Sequence, residues 1–329
     1  MNLDLKKITE SIKKLEKKHG KGVVMDLSSD KSFVQDIKFE KTGIFSLDEM
    51  LGGGIPQGRV IELYGQESSG KTSLATQIAA QFQKNGKTVA FLDLEHAFAP
   101  KYAEALGIDL SPEKFLFSQP DWGEQALDII ENWVNLGVEL IIVDSVANMV
   151  PKCEVEGKAG DAVVGKVARL MSQAMRRLSG PVSKNKATIL FINQIRQNIG
   201  GGPYANPNVT PGGNALKFWA SMRIQVARRT SLKIGEKVIG IKILAKTVKN
   251  KVSRPFRQAE FDFFFEGGFQ LEADILESAV RNKIIKLKGR TYSFGEEIIG
   301  TSKGEAVEIL KTDKILLDKI TNQLNLKKC

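Results

Sequence analysis

Cysteine is nearly absent from this chain: Cys153 and Cys329 are the only two in 329 residues, far apart and without a CxxC pair or a histidine at ligand spacing. That scarcity argues against a disulfide framework and against a structural zinc site. No apolar run approaches the ~18 residues of a membrane span. The N-terminus interleaves Lys6, Lys7, Lys13 and Lys14 with Asp4 and Glu10, so it carries no signal-peptide apolar core. We expect a soluble, cytoplasmic protein with no membrane partner. Acid is missing from one stretch in particular. Between Lys242 and Gln258 stand six basic side chains, Lys242, Lys246, Lys249, Lys251, Arg254 and Arg257, and no Asp or Glu. A block of one sign repels itself unless a partner neutralises it, and a formal net charge of +10 points to a polyanion as that partner. Internal repeats and low-complexity tracts are also missing, while an apolar content of 42% is ordinary for a globular protein.

What is present begins with Gly65-Gln66-Glu67-Ser68-Ser69-Gly70-Lys71-Thr72, which fits the phosphate-cradling P-loop pattern. Its flanks are those the pattern needs. Arg59 to Tyr64 reads as an incoming strand, and Leu74, Ile78, Ala79 and Phe82 recur afterwards at helical spacing. Gly65 and Gly70 let the backbone turn so that successive N–H groups face phosphate oxygens at the positive end of the following helix. Lys71 adds a point charge for the β- and γ-phosphates, and the Thr72 hydroxyl is placed to hold Mg²⁺.

Other runs place the loop in a fold. Val89 to Asp93, Leu140 to Asp144 and Thr188 to Asn193 are near-continuous apolar stretches that each end in a polar residue, as buried parallel strands do. Gln125 to Leu136 and Val164 to Leu178 supply helical crossovers, and Ser221 to Val226 with Val238 to Ala245 suggests an antiparallel extension. We therefore expect an α/β P-loop ATPase core, mostly parallel in its central sheet, over residues 33–268. A lysine-rich N-terminal helix and arm over residues 1–32 presents Leu5, Ile8, Ile12 and Leu15 on one face. Residues 269–329 read as a small α/β C-terminal domain.

Hydrolysis needs more than a P-loop. Asp144 closes its strand where a second carboxylate can hold Mg²⁺ through water. Glu95 follows the strand that ends at Asp93, and either carboxylate could orient and deprotonate an attacking water. Gln194 stands after the next strand, where a neutral amide could sense a γ-phosphate. Two loop segments, one over Gly157 to Asp161 and one over Asn198 to Pro207, lie beside a helix that bears Arg169, Arg176 and Arg177. With apolar tips at Val164, Ile199 and Tyr204, they suit single-stranded nucleic acid, whose phosphates want cations and whose bases want flat surfaces.

The segments GQESSGKT (65–72), DLEHA (93–97), LIIVDSVA (140–147), MSQAMRRL (171–178), FINQIR (191–196), GGNALKFWAS (212–221) and PFRQAEF (255–261) resemble the bacterial RecA recombinase family in order and over nearly the whole chain. The resemblance implies the RecA-type fold and an ATP-dependent, Mg²⁺-dependent helical filament of many copies. Such a filament forms on single-stranded DNA, pairs it with double-stranded DNA, and promotes self-cleavage of a LexA-type repressor. By position, it implies that Glu95 activates water, Gln194 senses the γ-phosphate, and Tyr102 stacks on adenine with Phe265 as a second ring. Lys249 and Lys251 would reach the ATP of the adjacent protomer, and Phe218 would lie at that interface. DNA contact would come from residues 157–164 and 197–209, flanked by Arg196, Gly212 and Gly213.

The pattern is not matched everywhere. Gln66 replaces the family's usual proline, Ala99 an acid that contacts adenine, and Val164 a methionine whose tip separates base triplets. The second loop is one residue longer and carries Gly200-Gly201-Gly202, which raises the entropy cost of ordering it. The sequence closes on Leu326-Lys327-Lys328-Cys329 without an acidic tail, from which easier loading onto duplex DNA and weaker dependence on free Mg²⁺ are expected. A ring-forming helicase or a regulatory ATPase would share the P-loop core but not the FINQIR and GGNALKF segments in this arrangement.

Overall fold

Apolar runs that alternate from face to face build a nine-stranded sheet, seen in a computed structural model that describes residues 4–20, 23–24, 37–158, 165–197 and 208–326. The expected tips Val164, Ile199 and Tyr204, and the glycine run at 200–202, lie outside those residues. Contacts divide the chain into residues 1–38 and 39–329. The first unit holds α1 (Leu5–His19), capped by the Asp4 carboxylate, which accepts the Lys6 N–H at 3.0 Å. Its stripe of Leu5, Ile8, Ile12 and Leu15 has no buried member, and Leu5 is 79% exposed.

The second unit opens with a two-residue antiparallel pairing of Phe39–Glu40 with Ile55–Pro56, and α2 (Phe45–Leu51) lies between them in the chain. The core then alternates β1 (Val60–Gly65), α3 (Lys71–Lys84), β2 (Val89–Asp93), α4 (Pro100–Ala105), β3 (Phe115–Ser118), α5 (Gly123–Leu136), β4 (Leu140–Asp144), α6 (Lys166–Lys184) and β5 (Thr188–Gln194). After α7 (Ala215–Trp219) come β6 (Met222–Ile234), β7 (Lys237–Asn250), β8 (Gln258–Phe264) and β9 (Gly268–Phe269). The spatial order is β9-β8-β7-β6-β1-β5-β4-β2-β3. From β6 to β3 every pairing is parallel, whereas β6 to β9 pair antiparallel. The antiparallel extension is the expected one, with strands longer than the apolar spacing alone indicates. The helix expected to stop at Leu178 runs on through Pro181 to Lys184.

Period-two alternation sorts the strands' side chains to two faces. Ile61, Leu63, Phe91, Ile142, Leu190 and Ile192 pack with Leu74, Ile78 and Phe82 of α3. Ile141, Val143, Ile189 and Phe191 pack on the other face with Ile130 of α5 and Met171, Ala174 and Leu178 of α6. Each such side chain contributes roughly 1.5–3 kcal/mol of burial.

The last segment forms a smaller core. Helix α8 (Leu271–Arg281), the antiparallel strands β10 (Ile285–Lys288), β11 (Thr291–Phe294) and β12 (Glu297–Gly300), and helices α9 (Lys303–Thr312) and α10 (Lys314–Leu326) enclose Leu276, Ile285, Leu310 and Ile320. Phe45 of α2 enters the same cluster, and the neighbouring Ser46 N–H donates to Asp274 Oδ2 at 2.9 Å. Burial raises the Asp274 pKa above the usual carboxylate range, against the lowering effect of its Ser46 bonds. A carboxylate whose folded pKa is raised contributes stability that is complete below its unfolded pKa and is lost as pH rises through the folded value. We therefore expect Asp274→Asn to gain thermal stability relative to the native chain as pH rises from about 4 to about 8, the window above the unfolded aspartate pKa. Calorimetric midpoints of both proteins across that range check this; a difference that stays flat or shrinks would contradict it.

Candidate active site

The parallel register sets several polar groups side by side. Gly65 at the end of β1 lies opposite Gln194 at the end of β5, and Asp93 of β2 lies opposite Asp144 of β4. From Gly65 the chain turns through exposed Gln66, Glu67 and Ser68 into α3, which starts at Lys71. The expected need for glycine is met by a neighbour strand: a Cβ on Gly65 would fall 2.0 Å from the Val226 carbonyl oxygen of β6. Gly70 takes the left-handed N-cap conformation of α3 at φ 89°. Ser69 Oγ is buried with no hydrogen-bond partner among the described residues. A cradle with an orphaned hydroxyl at a helix N-terminus fits a phosphate.

Lys71 is buried, and its Nζ donates to the Gln66 carbonyl at 2.7 Å. Desolvation lowers its pKa, opposed by the carboxylates of Asp144, Glu95 and Glu67. Thr72 Oγ1 donates to Asp144 Oδ2 at 2.7 Å. Burial pushes the Asp144 carboxyl up to about 6; Thr72 and Lys71 pull it down, while Glu95 and Asp93 add to the rise. A hydroxyl and a carboxylate set this close are the oxygen donors that Mg²⁺ takes, and a cation there would favour the ionised acid.

The two carboxylates that the sequence left open differ in their partners. Asp93, 2% exposed, accepts from Ala97 N at 3.3 Å, Phe98 N at 3.0 Å and Gln119 Nε2 at 2.9 Å, so its oxygens are spent on holding the turn after β2. Glu95 is less buried, and its Oε1 accepts from Gln194 Nε2 at 2.8 Å and from Ser145 Oγ at 2.7 Å. Beside them a cavity of about 260 Å³ opens between walls that include Thr72, Ser73, Glu95, Ala99, Tyr102 and Asp144. The Tyr102 hydroxyl stands 3.1 Å from Ser73 Oγ. Phe265, beyond the end of β8, packs edge-on to Phe263 and is not part of those walls.

Lys249 and Lys251 are not brought to this end of the sheet. Lys249 lies opposite Arg223, next to the start of β6, and its Nζ donates to the carbonyls of Lys217 and Phe218 at 2.7 Å each, closing the end of α7. Burial lowers its pKa, and so do the charges of Lys251 and Arg223. Lys251 is exposed, and Phe218 is 71% exposed.

The arginines expected on DNA fall into two groups. On α6, Arg169 and Arg176 are exposed, whereas Arg177 is tied to Asp128 and Glu131 of α5. Arg196 is exposed on a two-residue ribbon that pairs Arg196–Gln197 with Asn208–Val209, bringing the two sides of the second loop segment together. Gly212 and Gly213 follow it in close quarters: a Cβ on Gly212 would meet Val146 and Met171, and one on Gly213 would meet Ala168.

Several residues of the site went unread in the sequence. Ser145 and Gln119 had no pattern to mark them. Glu62 did: a charged residue inside an apolar strand run is a signal, since a buried charge needs partners. It is fully buried and paired with Arg223 and Asn193.

Comparison with known proteins matches these features to one family. A model described as the RecA N-terminal domain matches residues 6–270. Protein RecA of Wolinella succinogenes is 48% identical over 317 residues, which cover 96% of this chain and 89% of that protein. Protein RecA of Sulfurimonas denitrificans is 47% identical over 321 residues, covering 97% and 92%, and that of Clostridium novyi 44% over 325 residues, covering 98% and 91%.

The partner sets of the two carboxylates predict opposite effects. Asp93→Asn should destabilise the fold by about 1.5–3 kcal/mol, the range for a hydrogen bond to a charged group. Glu95→Gln should change stability by less than about 1 kcal/mol and abolish ATP hydrolysis. Urea denaturation and a phosphate-release assay on both variants check this, and the reverse assignment would contradict it.

Proposed function

The chain belongs to the RecA family, a family of DNA-dependent ATPases in recombination and repair, and from that premise we propose that it forms helical filaments on single-stranded DNA and exchanges homologous strands. ATP binding is the switch for filament state, and hydrolysis serves to release the strand. No helix among the described residues is long and apolar enough to cross a membrane.

The observation that carries this reading is the split between the two ends of the sheet. At the carboxyl ends of β1, β2, β4 and β5 stand Lys71, Thr72, Asp144, Glu95 and Gln194, joined by the bonds from Thr72 to Asp144 and from Gln194 to Glu95. In this reading the P-loop amides from Gly65 to Thr72 and Lys71 bind the phosphates, and Glu95 orients and deprotonates the attacking water. Gln194 senses the γ-phosphate. Thr72 would hold Mg²⁺ directly and Asp144 through water, and the ion when bound would neutralise charge on the β- and γ-phosphates. Tyr102 stacks on adenine, and Phe265, which lies outside the cavity walls, supplies a second ring only if the base reaches beyond them. Ala99 offers that base no carboxylate, so stacking carries more of its recognition.

Lys249 lies away from its own P-loop and holds the backbone of exposed Phe218, and exposed Lys251 follows two residues later. They suit a role in trans, as cations that meet the ATP of the adjacent subunit in the manner of an arginine finger. DNA lies along the face that bears Arg169, Arg176 and Arg196, with the segments over 157–164 and 197–209. Arg177 contributes to that face only if it exchanges its tie to α5 for a phosphate. The family relationship is also what supports a LexA-type repressor as a protein partner.

ATPase rates and electron micrographs with and without single-stranded DNA test the proposal. Lys71→Ala should abolish ATP-dependent filaments on DNA. Lys251→Ala should leave nucleotide affinity within about twofold while cutting DNA-stimulated hydrolysis by roughly 10³-fold or more, the scale of a cation supplied in trans. Normal filaments from Lys71→Ala, or unaltered turnover by Lys251→Ala, would overturn it.

A further inference from the structure

Lys251 stands one residue beyond the end of β7, on the connection that leads across to β8 at Gln258. It is exposed, and a lysine's ammonium rides on a flexible stem, so where it can act is set by the backbone that carries it. Two anchors hold that backbone. The first comes from the sheet: the Lys251 N–H donates to the Ser221 carbonyl at 2.9 Å, just before the start of β6.

The second is Asn250. Its Oδ1 accepts the backbone N–H groups of Val252 at 3.0 Å and Ser253 at 2.9 Å, closing the turn around Lys251 as asparagine side chains do where they stand in for a backbone acceptor. Its Nδ2 donates to the Leu51 carbonyl at 3.1 Å. Leu51 is the last residue of α2, where a helix leaves its final carbonyls without partners inside the helix. The far end of the connection is tied to the same helix: Arg257 Nη1 donates to the Glu49 carbonyl at 3.1 Å. The turn also presses on the helix end, since a Cβ on Gly52, the left-handed residue that follows α2, would fall 2.1 Å from Ser253 Oγ. Helix α2 is itself fixed, with Leu47 and Leu51 buried in the main core and Phe45 in the C-terminal cluster. Asn250 thus uses both polar atoms of its side chain on one junction.

We infer that Asn250 is a positioning residue for hydrolysis: it moors the turn that follows β7 to the end of α2 and so sets where Lys251 meets the nucleotide of the adjacent subunit. The two ends of the amide divide the task. The Oδ1 bonds shape the turn, and the Nδ2 bond fixes the shaped turn against the core. A displacement of about 1 Å in a catalytic group can cost on the order of 10²-fold in rate, so loss of the mooring is felt at a cation whose own atoms are unchanged. The inference rests on the reading of Lys251 as a cation supplied in trans.

The test compares Asn250→Ala, Asn250→Asp and Lys251→Ala for affinity toward a fluorescent ATP analogue and for ATPase rate with and without single-stranded DNA. Asn250→Ala should keep analogue affinity and the DNA-free rate within about twofold and lose about tenfold or more of the DNA-stimulated rate. Asn250→Asp keeps the acceptor for both N–H groups but lacks the donor to Leu51, so it should show the same split, and it decides the matter if Asn250→Ala does not fold. Mixing then assigns the defect to one side of the interface. With Glu95→Gln, which supplies an intact turn and Lys251, the rate of an Asn250 variant should rise above the average of the two components; with Lys251→Ala it should not. Undiminished turnover by either Asn250 variant, or equal losses with and without DNA, would overturn the inference. So would a rate restored by Lys251→Ala, or by neither mixing partner. Full DNA-stimulated turnover by Lys251→Ala on its own would overturn the trans reading and this inference with it.

Discussion

The parallel register of β1, β5, β4 and β2 is the constraint on which the site depends. It sets Gly65 opposite Gln194 and Asp93 opposite Asp144, so groups far apart in the chain reach one edge of the sheet at one level. Because side chains alternate along a strand, a one-residue slip would exchange the side chains that fill the two cores and move every one of these groups. The two cores on either side of the sheet therefore stabilise the active-site geometry as well as the fold. The consequence is electrostatic. The carboxylates of Asp144, Glu95 and Glu67 act on one ammonium, Lys71, while Asp93 and Glu95 act on Asp144, and burial makes the crowding felt: Asp144 is pushed up to about 6 and Lys71 down. A site of that balance accepts phosphates only along with compensating cations.

In the proposed reading such a site is half of a catalytic centre. Lys71 is the cation its own chain places among these groups, and the acid-free block that could supply more is held at the start of β6 and the end of β7. There Lys249 closes the end of α7 and leaves Phe218 exposed. A surface that pairs fixed lysines with an exposed ring has the makings of a subunit contact. Completion by a neighbour, as proposed, would make turnover a property of assembly.

Much of this was legible in the residues. The P-loop, the buried strands ending at Asp93, Asp144 and Asn193, and the antiparallel extension all follow from short-range rules of apolar period and glycine placement. The choice between Asp93 and Glu95 was not legible, because it turns on Ala97, Phe98 and Gln119 saturating one carboxylate while Gln194 meets the other. Arg177 shows the same limit: its position beside Arg176 suggested an open cation, and its pairing with Asp128 and Glu131 depends on how α5 and α6 cross. Glu62 sat in plain view within its strand run, and only the strand order, with β5 on one side and β6 on the other, reveals what it holds.

In the proposed assembly each active site combines the strand-end groups of one subunit with the lysines of the next. Mixing two inactive variants tests it most directly. Glu95→Gln lacks the water-activating carboxylate but keeps Lys251; Lys251→Ala has the reverse defect. On single-stranded DNA the mixture should hydrolyse ATP well above either variant alone, because some neighbouring pairs regain a complete site. A mixture whose rate equals the average of its two components would mean that sites are not shared between subunits.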